Sequence, residues 1–275
     1  METLNIQGRL IDLREPKVMG ILNVTPDSFY SGSRVQDIKD IISRAGEMIE
    51  AGATFLDIGG YSSRPGAEHI DAETESSRVI PAIKAIIKEF PACILSIDTF
   101  RAEVASKAIE AGAHMVNDIS GGHLDENMYA VVGEMGVPYI GMHMRGTPQT
   151  MTQQTDYADV VGEILNYFSK MIATLLQSGA KDIIVDPGFG FSKNIDQNYE
   201  LMKKFESLKL LEKPILVGVS RKSMVYKLLG VGPEQALNGT TVLNTVALLR
   251  GASILRVHDV SEAVEVLKLV RRIRN

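Results

Sequence analysis

Polar side chains recur along this sequence at the ends of short apolar runs: Asn23, Asp57, Asp98, Asn117, His143, Asp186, the Ser220-Arg221-Lys222 stretch, Arg256 and His258. Their types divide in two. Asp and Asn oxygens accept hydrogen bonds and suit a planar heterocycle that presents amine and ring N–H edges. Arg, Lys and His suit an anion. The stretch Gly59-Gly60-Tyr61-Ser62-Ser63-Arg64-Pro65-Gly66 extends the second theme. Its glycines and hydroxyls allow close approach to a phosphate, with Arg64 as a bidentate grip. Ser220-Arg221-Lys222-Ser223 precedes a helical pattern whose first N–H groups could take a carboxylate or phosphate, and Lys222 could instead form a Schiff base. The segment Thr25-Pro26-Asp27-Ser28-Phe29-Tyr30-Ser31-Gly32 is long for a loop and has the form of a lid. Met142, Met144 and Phe191 offer surfaces for a planar ring, although Met more often fills a core.

Taken singly, each residue has a plainer role. Asp57 and Asp118 fit helix caps or turns. Asp98 or Thr99 could cap the helix that follows, and Asp259 the last helix. Asn117-Asp118 and Asp186-Pro187-Gly188 read as turns, and His143 as a structural hydrogen-bonding residue. Functional meaning depends on whether the elements bring these residues to one rim.

Those elements repeat in order. Residues 3–13 read as a hairpin, with Leu4, Ile6, Ile11 and Leu13 alternating about a Gln7-Gly8 turn. Apolar runs then begin at Val18, Thr54, Ile94, His114, Pro138, Asp182, Pro214 and Ser253, each followed by a helical pattern. Ile38, Ile41, Ala45 and Met48 share one helix face after the first run, and Val161, Ile164, Leu165, Phe168 and Leu175 share one after the fifth. The sixth run is followed by a weaker helix near 198–210, the seventh by helical segments near 222–229 and 238–250. Gly52, Gly112 and Gly179 stand just past helices, where a left-handed cap is needed. Continuously apolar strands belong to a sheet buried on both faces. Eight such units fit a closed (β/α)8 barrel, a TIM barrel, better than an open sheet, and no glycine-rich dinucleotide turn follows the first strand. The expected organisation is one domain over residues 1–275, with its site at the C-terminal ends of the strands.

Composition narrows the function. The chain has 275 residues, 45% hydrophobic and 23% charged, with a formal net charge of -5. No basic run is present, which argues against nucleic acid and anionic membranes as partners. No signal-like N-terminus and no apolar run of about 20 residues occurs, so the cytoplasm is the expected location. The single cysteine, Cys93, sits in an apolar run and reads as a buried hydrophobe. His-Glu-x-x-His, Cys-x-x-Cys and Gly-x-Ser-x-Gly motifs are absent.

Gly20-Ile21-Leu22-Asn23-Val24-Thr25-Pro26-Asp27-Ser28-Phe29 resembles the first signature of the dihydropteroate synthases, and Asp57-Ile58-Gly59-Gly60-Tyr61-Ser62-Ser63-Arg64-Pro65-Gly66 resembles the second. Further stations follow in order: Ser96-Ile97-Asp98-Thr99, Val116-Asn117-Asp118, Met142-His143-Met144, Asp186-Pro187-Gly188-Phe189-Gly190-Phe191, Gly218-Val219-Ser220-Arg221-Lys222-Ser223 and Arg256-Val257-His258-Asp259. Nearly the whole chain is covered. Two departures stand out: Ser63 where family members commonly carry Thr, and Tyr30-Ser31-Gly32 in place of Ser-Asp-Gly-Gly. Both bear on sulfonamide sensitivity and loop dynamics more than on the reaction.

The resemblance implies a transferase of folate biosynthesis and sulfonamide target. It would join (7,8-dihydropterin-6-yl)methyl diphosphate to p-aminobenzoate with Mg²⁺ as cofactor, as a homodimer. It implies Asp98, Lys222 and Arg64 as the catalytic set. The pterin diphosphate would be bound by Ser63, Asp98, Asn117, Met142, Asp186, Phe191, Gly218, Lys222, Arg256 and His258. Phe29, Pro65 and Ser223 would bind p-aminobenzoate, and Asn23 would hold the metal. Competing readings are a corrinoid-type pterin-binding methyltransferase, a Schiff-base aldolase using Lys222, and a catalytically silent pterin-binding barrel.

Overall fold

Eight parallel strands, each followed by helix, make up the computed structural model, which describes residues 3–24, 34–62 and 69–274. The expected hairpin is present as β1 (Thr3–Ile6) and β2 (Arg9–Asp12), paired antiparallel with Leu4 opposite Ile11. Gln7 and Gly8 form its turn with φ of +50° and +89°, the positive pair that a two-residue turn needs to match strand twist. The Asn5 carboxamide oxygen accepts from the Gly8 N–H at 2.7 Å.

The barrel strands are β3 (Lys17–Asn23), β4 (Phe55–Gly59), β5 (Ile94–Asp98), β6 (Met115–Asp118), β7 (Tyr139–Met142), β8 (Ile183–Asp186), β9 (Leu216–Val217) and β10 (Ile254–Val257). Their order is β8-β7-β6-β5-β4-β3-β10-β9. A parallel bridge between Val185 and Ile215 joins β8 to the entry of β9 and closes the ring. The helices are α1 (Arg34–Glu50), α2 (Ala72–Glu89), α3 (Ala102–Glu110), α4 (Met128–Met135), α5 (Val160–Gln177), α6 (Ile195–Lys203), α7 (Ser223–Leu229), α8 (Leu237–Leu249) and α9 (Val260–Arg274). The weak helix expected near 198–210 is α6 followed by a 3-10 segment, Phe205–Leu211. Asn194 and Gln197 form a reciprocal capping box that starts α6 earlier than its apolar pattern indicates. Gly52, Gly112 and Gly179 take φ of +101°, +115° and +90°, as expected past helix ends. Among the described residues no helix is long and apolar enough to cross a membrane.

Side chains alternate across each strand, so every second residue faces the barrel interior. The outward set, including Val18, Leu22, Leu56, Ile58, Leu95, Ile97, Val116, Val185, Val217 and Leu255, packs with the helices in the main core. The inward set starts apolar. Met19, Phe55, Ile94, Met115, Ile140, Ile184, Leu216 and Ile254 form one cluster with Leu4, Ile6, Ile11 and Leu13 of the hairpin segment. The hairpin therefore plugs the N-terminal end of the barrel. Leu10, which alternates away from that plug, is left 69% exposed. Cys93 packs partly buried against the main core, and burial pushes its thiol up to about 12, so it is no thiolate nucleophile.

Candidate active site

Two or four residues further along the same inward face, the side chains become polar: Asn23, Asp57, Asp98, Asn117, Asp186 and Arg256, with Met142 and Gly218 at the same end. Strand register brings them together. Asn23 lies beside Gly59, Gly59 beside Asp98, and Asp98 beside Asn117, while Met142 lies beside Asp186. Gly59 leaves room between its neighbours. A Cβ there would stand 3.6 Å from both Asn23 Oδ1 and Asp98 Oδ2.

Arg256 organises the centre. Its Nε donates to Asp57 Oδ2 at 2.6 Å and its Nη2 to Asp98 Oδ2 at 2.6 Å, while Asn117 Nδ2 donates to the same Asp57 oxygen at 2.8 Å. Asp57 is 0% exposed. It is neither a helix cap nor a turn former, the plainer roles open to it from the sequence; it points inward and holds Arg256. Asp98 is likewise no helix cap. Thr99 accepts from the Arg101 N–H at 3.2 Å, and Asp125 takes the first N–H of α3, that of Ala102, at 2.8 Å. Burial pushes the Asp98 carboxyl up to about 7, against the pull of Arg256 and with the Asp57 and Glu75 carboxylates adding to the rise. Arg256 is raised further, because the attraction of Asp57 and Asp98 outweighs its own burial.

The second group lies across the rim. Asp186 both closes a turn and faces inward: its Oδ1 accepts from the Gly188 N–H at 2.8 Å. Burial raises its carboxyl, opposed first by Lys222. The Lys222 ammonium donates to the Phe189 carbonyl and sits 4.4 Å from the centre of the Phe191 ring. Burial lowers Lys222 to about 8, with Asp186 opposing. The two groups border one space, since a Cβ on Gly218 would stand 3.9 Å from both Arg256 Cβ and Lys222 Nζ. Arg221 sets the approach of Lys222 with a positive φ of +54°, a conformation rare outside glycine. Its N–H donates to Thr240 Oγ1 at 3.1 Å, and its guanidinium holds Asp259 at 3.0 and 2.5 Å. Asp259, expected to cap the last helix, directly precedes α9 and its carbonyl accepts from the Ala263 N–H at 3.2 Å, while its carboxylate anchors Arg221.

His258 stands at the exposed rim, its Nδ1 3.1 Å from Ser220 Oγ, and Ser223 opens α7 next to Lys222. Met142 is buried with Tyr61, Phe100, Ile119, Met144 and Met151 in an apolar cluster, with Phe191 packed against it. Phe29, Ser63, Arg64 and Pro65 lie outside the described residues, as do the rest of the first loop and both departures from the family pattern.

Parity separates site from scaffold. Asp118 follows inward-facing Asn117, so it points outward, where it accepts from Ser120 N–H, Gly122 N–H and the Tyr139 hydroxyl at 2.7, 2.8 and 2.8 Å. His143 is structural: it is buried, with Nδ1 3.1 Å from Lys193 Nζ and its ring edge-on to Tyr167. The base of the second loop is held by a buried pair that the sequence did not reveal. Arg101 pairs with Glu75, donates to the Ile70 carbonyl and lies over the Tyr61 and Phe100 rings. Tyr61 in turn accepts from Gln149 Nε2 at 2.7 Å, which ties the second loop's stem to the long connection after β7.

A family model described as pterin binding enzyme matches residues 19–258. The dihydropteroate synthase of Escherichia coli (strain K12) is 45% identical over 267 residues, which is 96% of this chain and 94% of the relative. The chain belongs to the dihydropteroate synthase family. Solved members superpose closely. The Yersinia pestis dihydropteroate synthase, in complex with a sulfonamide drug, matches with a TM-score of 0.93 at 40% identity over 99% of each chain. The Xanthomonas albilineans dihydropteroate synthase, solved with 4-aminobenzoic acid and separately with 7,8-dihydropteroate, matches with TM-scores of 0.92 and 0.89 at 36% and 35% identity, over 99% of this chain and 98% of that one. Membership makes this dihydropteroate synthase family chain a transferase of folate synthesis with the barrel described above. It also takes the place of the methyltransferase and aldolase readings, since the matched relatives are synthases over nearly their full length.

Proposed function

We propose that this chain condenses (7,8-dihydropterin-6-yl)methyl diphosphate with p-aminobenzoate to give 7,8-dihydropteroate and diphosphate, through the site at the C-terminal end of the barrel. The observation that carries the reading is the inward-facing array of Asp57, Asp98 and Asp186 around Arg256 and Lys222. Asp186 would accept from the aminopyrimidinone N–H edge of the pterin, a good match for a carboxylate. Asn117 and Asp98 would meet other ring nitrogens. Lys222 would donate to the ring oxygen and nitrogen with two N–H groups and keep the third on the Phe189 carbonyl. Arg256, held flat by two carboxylates, would lie against the ring face. Met142, Phe191 and Gly218 would bound the ring pocket.

In the reaction the methylene carbon–oxygen bond breaks, its electron pair leaves with diphosphate, and a methylene cation remains, delocalised into the pterin. Asp98, as the carboxylate, would stabilise the developing cation. The p-aminobenzoate amine then forms the new carbon–nitrogen bond and loses a proton. Arg64, Ser63 and His258 would hold the diphosphate, Phe29 and Pro65 would wall the p-aminobenzoate pocket, and Ser223 would take its carboxylate.

Asn23 offers one hard oxygen at the edge of this site, and no group of three or more His, Cys, Asp or Glu that could hold a metal occurs among the described residues. That donor set fits Mg²⁺, which keeps waters and substrate phosphate oxygens rather than an all-protein cage. Mg²⁺ bound there would neutralise charge on the departing diphosphate.

Leu228 and Leu229 on α7, Val242 and Leu249 on α8, and Leu269 and Ile273 on α9 are exposed, which supports a homodimer through these helices. Sedimentation of the protein and of a Leu228→Asp, Val242→Asp variant tests the pairing, with a monomeric wild type rejecting it. The activity test incubates the protein with pterin diphosphate, p-aminobenzoate and Mg²⁺ and follows dihydropteroate and diphosphate together. Equal yields are expected; pterin binding without either product would return the silent-barrel reading.

A further inference from the structure

The turn after β8 rests on a buried lysine that the mechanism above does not use. Asp186-Pro187-Gly188-Phe189-Gly190-Phe191 lies directly on the end of β7: a Cβ on Gly188, whose φ is +69°, would stand 2.1 Å from the His143 carbonyl oxygen. Ser192, at the turn's end, takes a φ of +45°, and its Oγ accepts from the Arg145 N–H at 2.9 Å. The turn's carbonyls point two ways. That of Phe189 faces the site and accepts from Lys222. Those of Gly188 and Phe191 accept from Lys193 Nζ at 3.0 and 2.9 Å, and Nζ also lies 3.1 Å from His143 Nδ1 and 3.5 Å from the His143 carbonyl oxygen.

An ammonium has three donors and no acceptor, so these four contacts leave it no free donor. A charged Lys193 donating to Nδ1 goes with a neutral His143 that carries its proton on Nε2. Burial, with Lys193 next, holds His143 down to about 2. Lys193 is itself buried, and none of its hydrogen-bond partners is a carboxylate. Burial lowers Lys193 to about 7, with the Asp186 carboxylate opposing, so its charge is costly there, and a Met of similar length would fill the same space without that cost. What the ammonium adds is direction: it clamps two carbonyls of one turn to a side chain of the neighbouring strand.

We propose that Lys193 is a positioning residue of the pterin pocket, fixing the turn that places Asp186, Phe191 and, through the Phe189 carbonyl, Lys222. This rests on the assignment of Asp186 and Lys222 to pterin. Lys193 acts through the turn and touches no substrate, so the effect falls on one substrate only. Lys193→Met is expected to weaken binding of 6-hydroxymethyl-7,8-dihydropterin, titrated calorimetrically, by about tenfold or more, since small misplacements of binding groups are costly. KM for the pterin diphosphate should rise with it, while KM for p-aminobenzoate stays at the wild-type value. Lys193→Gln keeps donors for one carbonyl and should fall between the two; it is the variant to read if Lys193→Met does not fold. A folded variant with wild-type pterin affinity, or with both substrates weakened alike, overturns the proposal. Wild-type protein that neither binds the pterin nor forms dihydropteroate rejects the functional reading instead, so the two failures are distinct.

Discussion

The two ends of this barrel are built from the same strands and the same inward face, yet they have opposite chemistry. At the N-terminal end, Phe55, Ile94, Met115, Ile184 and Ile254 close on the hairpin's Leu4, Ile6, Ile11 and Leu13. One or two inward positions later, β4, β5, β6, β8 and β10 carry Asp57, Asp98, Asn117, Asp186 and Arg256. A step of about 7–13 Å along a strand thus separates packing from recognition. The plug makes the difference possible. With the lower end filled by apolar side chains, the upper end can be approached only from the rim, and its charges neutralise one another or face a ligand. Residues of the lower end should therefore act on stability and those of the upper end on catalysis, with one exception between them.

The largest effect is expected at the upper end. Asp98→Asn keeps the shape but removes the charge that would face the methylene cation; kcat should fall by about 10²–10³, the size of a lost transition-state electrostatic contact. Arg256 retains Asp57, so the fold should persist, and circular dichroism with steady-state kinetics checks both. Activity within a few-fold of wild type would remove Asp98 from the catalytic role. The mirror experiment is Phe55→Ala, which empties a fully buried position of the plug. It should cost about 3–5 kcal/mol of stability by urea unfolding while leaving kcat/KM unchanged in the cold, where the variant is folded. A loss of kcat/KM under those conditions would show that the lower end shapes the site, and the division would fail.

Asp57→Asn tests the boundary. Asp57 faces Arg256 and Asn117 with donors on both sides, and an amide there can turn its own N–H groups toward a guanidinium. Breaking a buried pair from one side costs about 3 kcal/mol or more. Because Arg256 is the group displaced, pterin affinity should drop with stability. Thermal unfolding and pterin titration together decide this. A variant that loses stability alone would make Asp57 part of the plug rather than of the site.

The division was partly visible in the sequence. Eight apolar runs with alternating helices identified the barrel, and the Gln7-Gly8 turn identified the hairpin, because both depend on local periodicity and backbone preference. That the hairpin closes the barrel was not visible, since its alternation shows a buried face but not which face covers it. Strand-end position found Asp98, Asn117, Asp186, Lys222 and Arg256. It picked out Asp57 too but left a helix cap open as its plainer role, which its place in the middle of β4 rules out. Counting by two from Phe55 would have placed it inside, as the same count from Met115 separates Asn117 from Asp118. Lys193 and the Arg101–Glu75 pair had no such signal. A buried charge is set by what folds over it, and composition marks Lys, Arg and Glu as surface residues.

The smallest expected effect sharpens the comparison most, because it sets activity against stability in a single group. Burial pushes the Asp98 carboxyl up to about 7. A folded value above the unfolded one, about 4, means the native state holds this proton more tightly than the unfolded chain. The stability that the proton contributes is present at acidic pH and is lost as pH rises from about 4 to about 7. The catalytic role asks for the opposite species, since only the carboxylate can face a cation. In the wild type, kcat/KM should climb up to tenfold per pH unit below about 7 and then level, while the melting temperature drifts down over the same interval. Parallel melting curves and rate profiles, with Asp98→Asn as the reference that cannot titrate there, separate this group from others. If the rate profile is flat while the wild-type and Asn melting curves diverge with pH, Asp98 titrates without serving the reaction, and its carboxyl belongs with the structural charges after all.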